Sequence, residues 1–197
     1  MIKGIIFDFG GVLIENPSEK RYKQYSKFIE NPENIRKKLK NLMSLLELGK
    51  ISSEEFWLEG SKKIGIKKGL FKKIWIDELE KCKYNKNVLG LVNKLKQKGY
   101  KIGLLSNVSR IDYLKKGKRI CQIFYPNIFL SFKIGYKKPS EKIFKFALRK
   151  LKLSPEEVIF IDNRMNNVES AKRIGMIGIH FSSSEKLIED LRKLGVL

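Results

Sequence analysis

The segment that most constrains this chain is Lys3-Gly4-Ile5-Ile6-Phe7-Asp8-Phe9-Gly10-Gly11-Val12-Leu13. An apolar run rich in β-branched and aromatic residues that stops at a turn signal reads as a buried strand. That reading sets Asp8 at the strand's carboxyl end, the edge where open α/β sheets bind their ligands. Glycines at positions 10 and 11 permit a tight backbone path and let main-chain groups approach a ligand with no Cβ in the way. Taken alone, the same residues also describe an ordinary first strand with a polar end and a glycine turn.

Three later segments extend the pattern. Tyr-Lys-Ile-Gly-Leu-Leu-Ser-Asn-Val at 100–108 is a short apolar strand ending in Ser106, and Val158-Ile-Phe-Ile-Asp162-Asn163 closes on a carboxylate. Between them, Gly135-Tyr-Lys-Lys-Pro139 sets Lys138 directly before a proline. Strands expected at 2–8, 101–106, 127–132, 157–162 and 177–181 alternate with helical patterns at 87–98, 139–151, 166–174 and 184–194, which favours a parallel sheet. Ser154-Pro155-Glu156-Glu157 reads as a short capped turn before the fourth strand. The stretch between the first two strands differs. Asn31-Pro32 opens a helix in which Ile35, Leu39, Leu42 and Leu46 recur at three- and four-residue spacing up to Gly49. Ser52-x-x-Glu55 is a capping box for the next helix, and Ser18–Ile29 and Leu70–Cys82 complete a set of about four. At 197 residues the chain can bury one core, or one core with a small second domain.

Taken in order, strand-Asp8, strand-Ser106-Asn107, Lys138-Pro139-helix and strand-Asp162 resemble the four signature motifs of the haloacid dehalogenase (HAD) superfamily, whose members are mostly phosphatases. Gly135-x-x-Lys138-Pro139-x-x-x-Ile143-Phe144 is similar to that family's third motif. Phe160-Ile161-Asp162-Asn163-x-x-x-Asn167-Val168-x-x-Ala171-x-x-x-Gly175-Met176 is similar to its fourth. The resemblance spans nearly the whole chain. It implies an α/β fold with a Rossmann-like parallel core over 1–16 and 86–197, and an all-helical cap inserted over 17–85. It also implies a Mg²⁺-dependent hydrolase acting on a small phosphorylated metabolite, with sugar phosphates as one candidate class.

The chemistry suits these residue types. A carboxylate nucleophile splits phosphate-ester hydrolysis into formation and breakdown of an acyl-phosphate, so Asp8 must approach an anionic group. A hard divalent cation offsets that repulsion, and Mg²⁺ takes one or two protein carboxylates plus waters and phosphate oxygens. Asp8 and Asp162 are the natural pair, and the resemblance adds the backbone carbonyl of Gly10 as a further ligand. Ser106 and the amide of Asn107 can donate to the transferring phosphoryl oxygens, while Lys138 supplies fixed positive charge to that group and to the nucleophile. Ser109 and Arg110 lie near enough in sequence to reach a substrate, and loop polarity explains them equally well. Ser106 as a cap and Lys138 as a solvated helix-start residue are the bland alternatives.

Two positions depart from the family pattern. Most HAD phosphatases carry a second aspartate, the general acid and base, where this chain has Gly10. General acid–base help is worth ~10²–10⁴-fold, so slow turnover, a good leaving group or a proton from substrate or water is expected. Asn163 stands where a second consecutive aspartate is common, keeping an oxygen and losing a charge. Two readings besides the phosphatase follow. One is a metal-independent 2-haloacid dehalogenase using the same Asp8, against which stand Asp162 and the lack of an aromatic residue at position 10. The other is a catalytically impaired HAD-like binding or regulatory module.

Composition adds less. Forty-two basic residues against twenty-one acidic give +21, a charge that attracts polyanions. The lysines are spread over several faces with no nucleic-acid motif, so a solvated surface is preferred over a nucleic-acid partner, which stays open as the lesser reading. Oligomeric state is unspecified. Cys82 and Cys121 are too few and too far apart for a disulfide framework or metal knuckle, and lone His180 has no triad partner. No apolar stretch reaches the ~18 residues of a transmembrane helix, and the amino terminus enters a core strand at once. The expectation is a cytoplasmic protein without a membrane partner.

Overall fold

The computed structural model describes residues 1–29 and 34–197. Strands β1 (Gly4–Phe7), β2 (Lys101–Ser106), β3 (Ile128–Leu130), β4 (Val158–Asp162) and β5 (Ile177–His180) form one sheet in the order β3-β2-β1-β4-β5. Every pairing is parallel. Helices in chain order are α1 (Pro17–Tyr25), α2 (Ile35–Glu47), α3 (Ser53–Ile64), α4 (Lys68–Glu80), α5 (Lys86–Gln97), α6 (Arg110–Asp112), α7 (Lys118–Cys121), α8 (Ser131–Ile134), α9 (Glu141–Leu151), α10 (Met165–Arg173) and α11 (Ser184–Lys193). A wider π turn, Tyr113–Gly117, joins α6 to α7. None of these helices is long and apolar enough to cross a membrane.

The apolar runs of β1 and β4 are buried throughout, as strands covered on both faces must be. Alternation along each strand sorts side chains between two layers. Ile5, Phe7, Leu104, Ile159 and Ile161 pack with Val88, Val92 and Leu95 of α5 and with Leu187 and Leu191 of α11. Ile6, Leu105, Phe129 and Phe160 face Ile143, Phe144, Ala147 and Leu151 of α9. Phe7 pairs with Ile161 on one side and Leu104 on the other, so Asp8 and Asp162 leave adjacent strands at one level. The strand order reverses between β1 and β4, and the crevice beyond the carboxyl ends there is where such sheets bind ligands.

The helices between β1 and α5 form a separate layer with its own aromatic cluster. Tyr25 stacks on Phe71 at 4.8 Å and Phe56 meets Trp75 edge-on at 4.6 Å, ring centroid to centroid. Ser52 and Glu55 make the expected capping box, with reciprocal bonds of 2.7 and 3.1 Å. The two chain crossings into this insertion run side by side: Glu15 N–H donates to Lys83 O at 3.0 Å and Asn85 N–H to Leu13 O at 2.9 Å.

Several boundaries differ from the sequence reading. The strand expected at 127–132 stops at Leu130, and Ser131 begins α8. β3 is an edge strand with β2 as its single partner, and fully buried Ser131 turns inward to accept a 3.1 Å bond from Val108 N–H. The helix expected from Ser18 to Ile29 ends at Tyr25 and tightens into a 3₁₀ turn, Ser26–Phe28. α9 starts at Glu141 instead of Pro139, because Ser140 is extended at its N-cap. The start expected at Asn31-Pro32 lies outside the described residues.

Candidate active site

Asp8 follows the last residue of β1, its N–H donating to Ile161 O at 2.9 Å. The chain then turns tightly, with Gly11 N–H bonded to Ile14 O at 2.7 Å. Gly11, not Gly10, needs glycine here. Its φ is +91°, and a Cβ would fall 2.2 Å from Asn163 Nδ2, so the turn could not close on the loop after β4 with any other residue. At Gly10 a Cβ would meet only Pro17 Cδ at 3.8 Å.

Lys138 ties the site together. Its buried ammonium donates to Asp8 Oδ1 and Asp162 Oδ2, each at 2.7 Å, and to Leu105 O at 2.8 Å. Asp162, with no exposed surface, also accepts from Arg164 N–H at 2.8 Å and Asn167 Nδ2 at 3.0 Å. Burial alone would lower the Lys138 ammonium, and the two carboxylates outweigh it, holding the lysine charged above its ordinary range. One cation does not balance two anions. Burial, followed by repulsion from Asp162, pushes Asp8 from 3.8 to about 6 against the pull of Lys138.

The loop after β2 completes the floor. Ser106 is buried and lines the cavity over Asp8. The Asn107 side chain does something the sequence reading missed: Nδ2 donates to Lys138 O and Oδ1 accepts from Lys138 N–H, both at 2.8 Å. Its side-chain amide is therefore committed to holding the lysine's backbone, and the expected donation to phosphate falls to the Asn107 main-chain N–H. Ser109 lines the cavity but caps α6, accepting from Asp112 N–H at 3.1 Å. Arg110 is exposed and faces a different groove beside Lys50 and Phe132. His180 is exposed, with Nε2 3.1 Å from Asn163 O.

The roof comes from the insertion. Arg21 of α1, 1 % exposed, makes a bidentate pair with Asp112 at 2.9 and 3.1 Å and donates Nε–H to Trp75 O at 3.0 Å. Its guanidinium lies 3.6 Å above the Trp75 ring, and Trp75 Nε1 donates to Asp112 at 2.9 Å. Glu47, at the end of α2, accepts from Lys137 at 2.6 Å. Arg21, Trp75, Asp112 and Glu47 all line the cavity. No sequence signal marked them, since their meeting depends on how α1, α2 and α4 dock over the sheet.

The donor set suits a hard cation. Among the described residues no three His, Cys, Asp or Glu side chains cluster as a metal cage. Two carboxylates, a nearby main-chain carbonyl and room for water are what Mg²⁺ ordinarily takes. The buried Oδ1 of Asn163, next to Asp162, has no hydrogen-bond partner, and an orphaned acceptor calls for a donor such as a cation's water.

Residues 2–175 match the model of haloacid dehalogenase-like hydrolases. The chain belongs to this family. It is 27% identical over 198 residues to the D-ribitol-5-phosphate phosphatase of Bacteroides thetaiotaomicron, covering 89% of both chains. It is 25% identical over 203 residues to the sesquiterpene phosphatase astK of Aspergillus oryzae, covering 98% of this chain and 96% of the relative. A HAD family enzyme of Bacteroides thetaiotaomicron, solved in complex with magnesium and inorganic phosphate, superimposes with a TM-score of 0.74 at 25% identity. That match covers 92% of this chain and 95% of the other. Within this HAD hydrolase, the four sequence motifs meet around Lys138.

Proposed function

We propose that this HAD hydrolase is a Mg²⁺-dependent phosphatase of small phosphorylated metabolites, working through an aspartyl-phosphate on Asp8 beneath the helical insertion as its cap. The observation that carries this reading is Lys138 shared between Asp8 and Asp162 on the floor of a cavity. Such a cluster has one negative charge in excess, which a divalent cation and a phosphoryl group complete. The phosphatase names of the relatives support it.

An Asp8 carboxylate oxygen attacks phosphorus and the ester P–O bond breaks, its electron pair leaving with the alcohol oxygen. Gly10 offers no acid, so that oxygen takes its proton from water or from a neighbouring substrate group. Water then attacks the phosphorus, the Asp8 O–P bond breaks, and the released phosphate keeps both of the water's protons as the carboxylate returns. Throughout, Lys138 orients Asp8, Asn107 fixes Lys138, and Ser106 donates to a phosphoryl oxygen. Bound by Asp8, Asp162 and the Gly10 carbonyl, Mg²⁺ would neutralise phosphoryl charge. Asp162, buried beside Asp8 as a natural second ligand for a divalent metal, favours phosphate over haloacid.

The test is phosphate release from a panel of phosphorylated metabolites, with Mg²⁺ and with excess chelator, beside a halide-release assay on 2-haloacids. Metal-dependent phosphate release is expected, falling roughly 10⁴-fold or more in Asp8→Asn. Halide release in chelator, or undiminished turnover by Asp8→Asn, would sink the mechanism.

A further inference from the structure

The cavity directly over Asp8 is small, about 60 Å³, room for a phosphoryl group and little else. It opens into a second groove of about 550 Å³ between the insertion and the core, with Asn16, Ser18, Met43 and Arg164 lining both. A phosphate ester held for attack by Asp8 must send its leaving group into that groove.

The groove's charges are uneven. Lys137 is taken by Glu47, and Lys138 by Asp8 and Asp162. What remains among the described residues is Arg36, Lys40 and Arg164 against Glu19. Elsewhere on the helices, lysines commonly sit beside a carboxylate one turn away, as in Lys145–Glu141 and Lys186–Asp190. None of the three groove cations has such a partner among the described residues. The residue type also matters. The chain has 34 lysines and 8 arginines, yet two of the three groove cations without a carboxylate partner among the described residues are arginine, whose planar fork grips carboxylate and phosphate in a way lysine does not. The Arg36 guanidinium lies 5.2 Å from the ring centroid of Tyr22, a wall of the same groove. That stacking restricts its motion before any ligand arrives.

We infer that the groove selects substrates whose leaving group bears a second anionic group, a carboxylate or another phosphate, recognised by Arg36 and Arg164. The inference rests on the phosphatase reading for its placement of the transferred phosphate. It separates this chain from a phosphatase that prefers neutral polyol or sugar leaving groups.

The test uses inert Asp8→Asn protein with Mg²⁺, and calorimetric binding of 3-phosphoglycerate against glycerol 3-phosphate, which differ in carboxylate versus hydroxymethyl. At low salt the carboxylate ester is expected to bind roughly tenfold or more tightly. Arg36→Gln and Arg164→Gln should each shrink that ratio, and Arg192→Gln, an equal loss of charge on α11, should leave it. In the active protein the same preference should appear mainly in KM. Failure of either ester to bind, equal binding, or an equal loss in Arg192→Gln overturns the inference. Discrimination retained by a protein that releases no phosphate would instead overturn the phosphatase reading and leave the groove as an anion-binding site.

Discussion

Two fully buried cations face each other across the cavity, and their surroundings are built on opposite principles. Arg21, in the roof, meets one carboxylate, Asp112, in a bidentate pair whose remaining edges are closed by Trp75 above and beside it. Charge cancels and the donors it uses are matched. Lys138, in the floor, meets two carboxylates and leaves a negative charge uncancelled. The first arrangement joins α1 and α4 to α6 and is satisfied without a ligand. The second is unsatisfied in isolation and improves when positive charge arrives. Buried polar clusters of this second kind mark sites where stability has been exchanged for chemistry.

The sharpest way to break this comparison is to remove one charge from each cluster in metal-free protein. Arg21→Met strands the buried Asp112 carboxylate and should cost about 3–5 kcal/mol of unfolding free energy. Asp8→Asn should cost nothing and add about 1–3 kcal/mol near pH 7.5. The sign follows from the raised Asp8 pKa. With its folded value moved from 3.8 to about 6, the native chain binds its proton more tightly than the unfolded one, so stability is present at low pH and lost as pH rises through about 6. The advantage of Asp8→Asn over the parent should therefore grow between about pH 4 and 6 and then level. Denaturant unfolding of both variants in chelator checks this, and a loss in Asp8→Asn comparable to that in Arg21→Met would erase the distinction.

A smaller effect is expected at Asn107, which touches neither carboxylate. By gripping Lys138 at both its N–H and its C=O, it sets where the ammonium stands between Asp8 and Asp162. Asn107→Ala should lower kcat by about 10²-fold with a lesser change in KM, and Asn107→Asp, which keeps the acceptor and loses the donor, should not restore it. A loss confined to KM would make substrate contact, the role suggested by its sequence position, the main role of the Asn107 side chain.

The same two regions divide what the amino-acid sequence discloses. Asp8, Ser106 and Asp162 each end an apolar run, and a buried parallel strand is the one local structure whose residue pattern also fixes where its polar end must lie. Lys138 stands out through the motif around it. Arg21 has no such marker. It sits in Pro-Ser-Glu-Lys-Arg-Tyr-Lys-Gln-Tyr, a helix that reads as solvated, and nothing in spacing connects it to Asp112, 91 positions away. Asn107 was legible as a site residue, but its grip on Lys138 was not, because that partner is a backbone 31 positions on. The early end of β3 is a related case: Ile128 to Phe132 looks extended, and only the inward turn of Ser131 ends it.

The smallest effect, and the one that probes the seam between the two regions, concerns the neighbouring glycines 10 and 11. Gly10 faces Pro17, the first residue of α1, at a distance that admits a side chain, whereas Gly11 is held at positive φ against Asn163. Gly10→Asp should therefore fold with stability close to the parent's, while Gly11→Ala should lose on the order of 1–3 kcal/mol. At the catalytic level, the parent without a carboxylic acid at position 10 should show rates that rise with leaving-group acidity, aryl phosphates over alkyl phosphates. Gly10→Asp should flatten that dependence by speeding alkyl esters, by about tenfold given an acid not yet tuned by its neighbours. A series of phosphate esters spanning leaving-group pKa, with chemistry shown to be rate-limiting, decides the matter. A flat dependence in the parent would mean that a group in the roof or on the substrate already gives the proton. The roof would then be a chemical participant, and the division between a reactive floor and a structural lid would fail at this point.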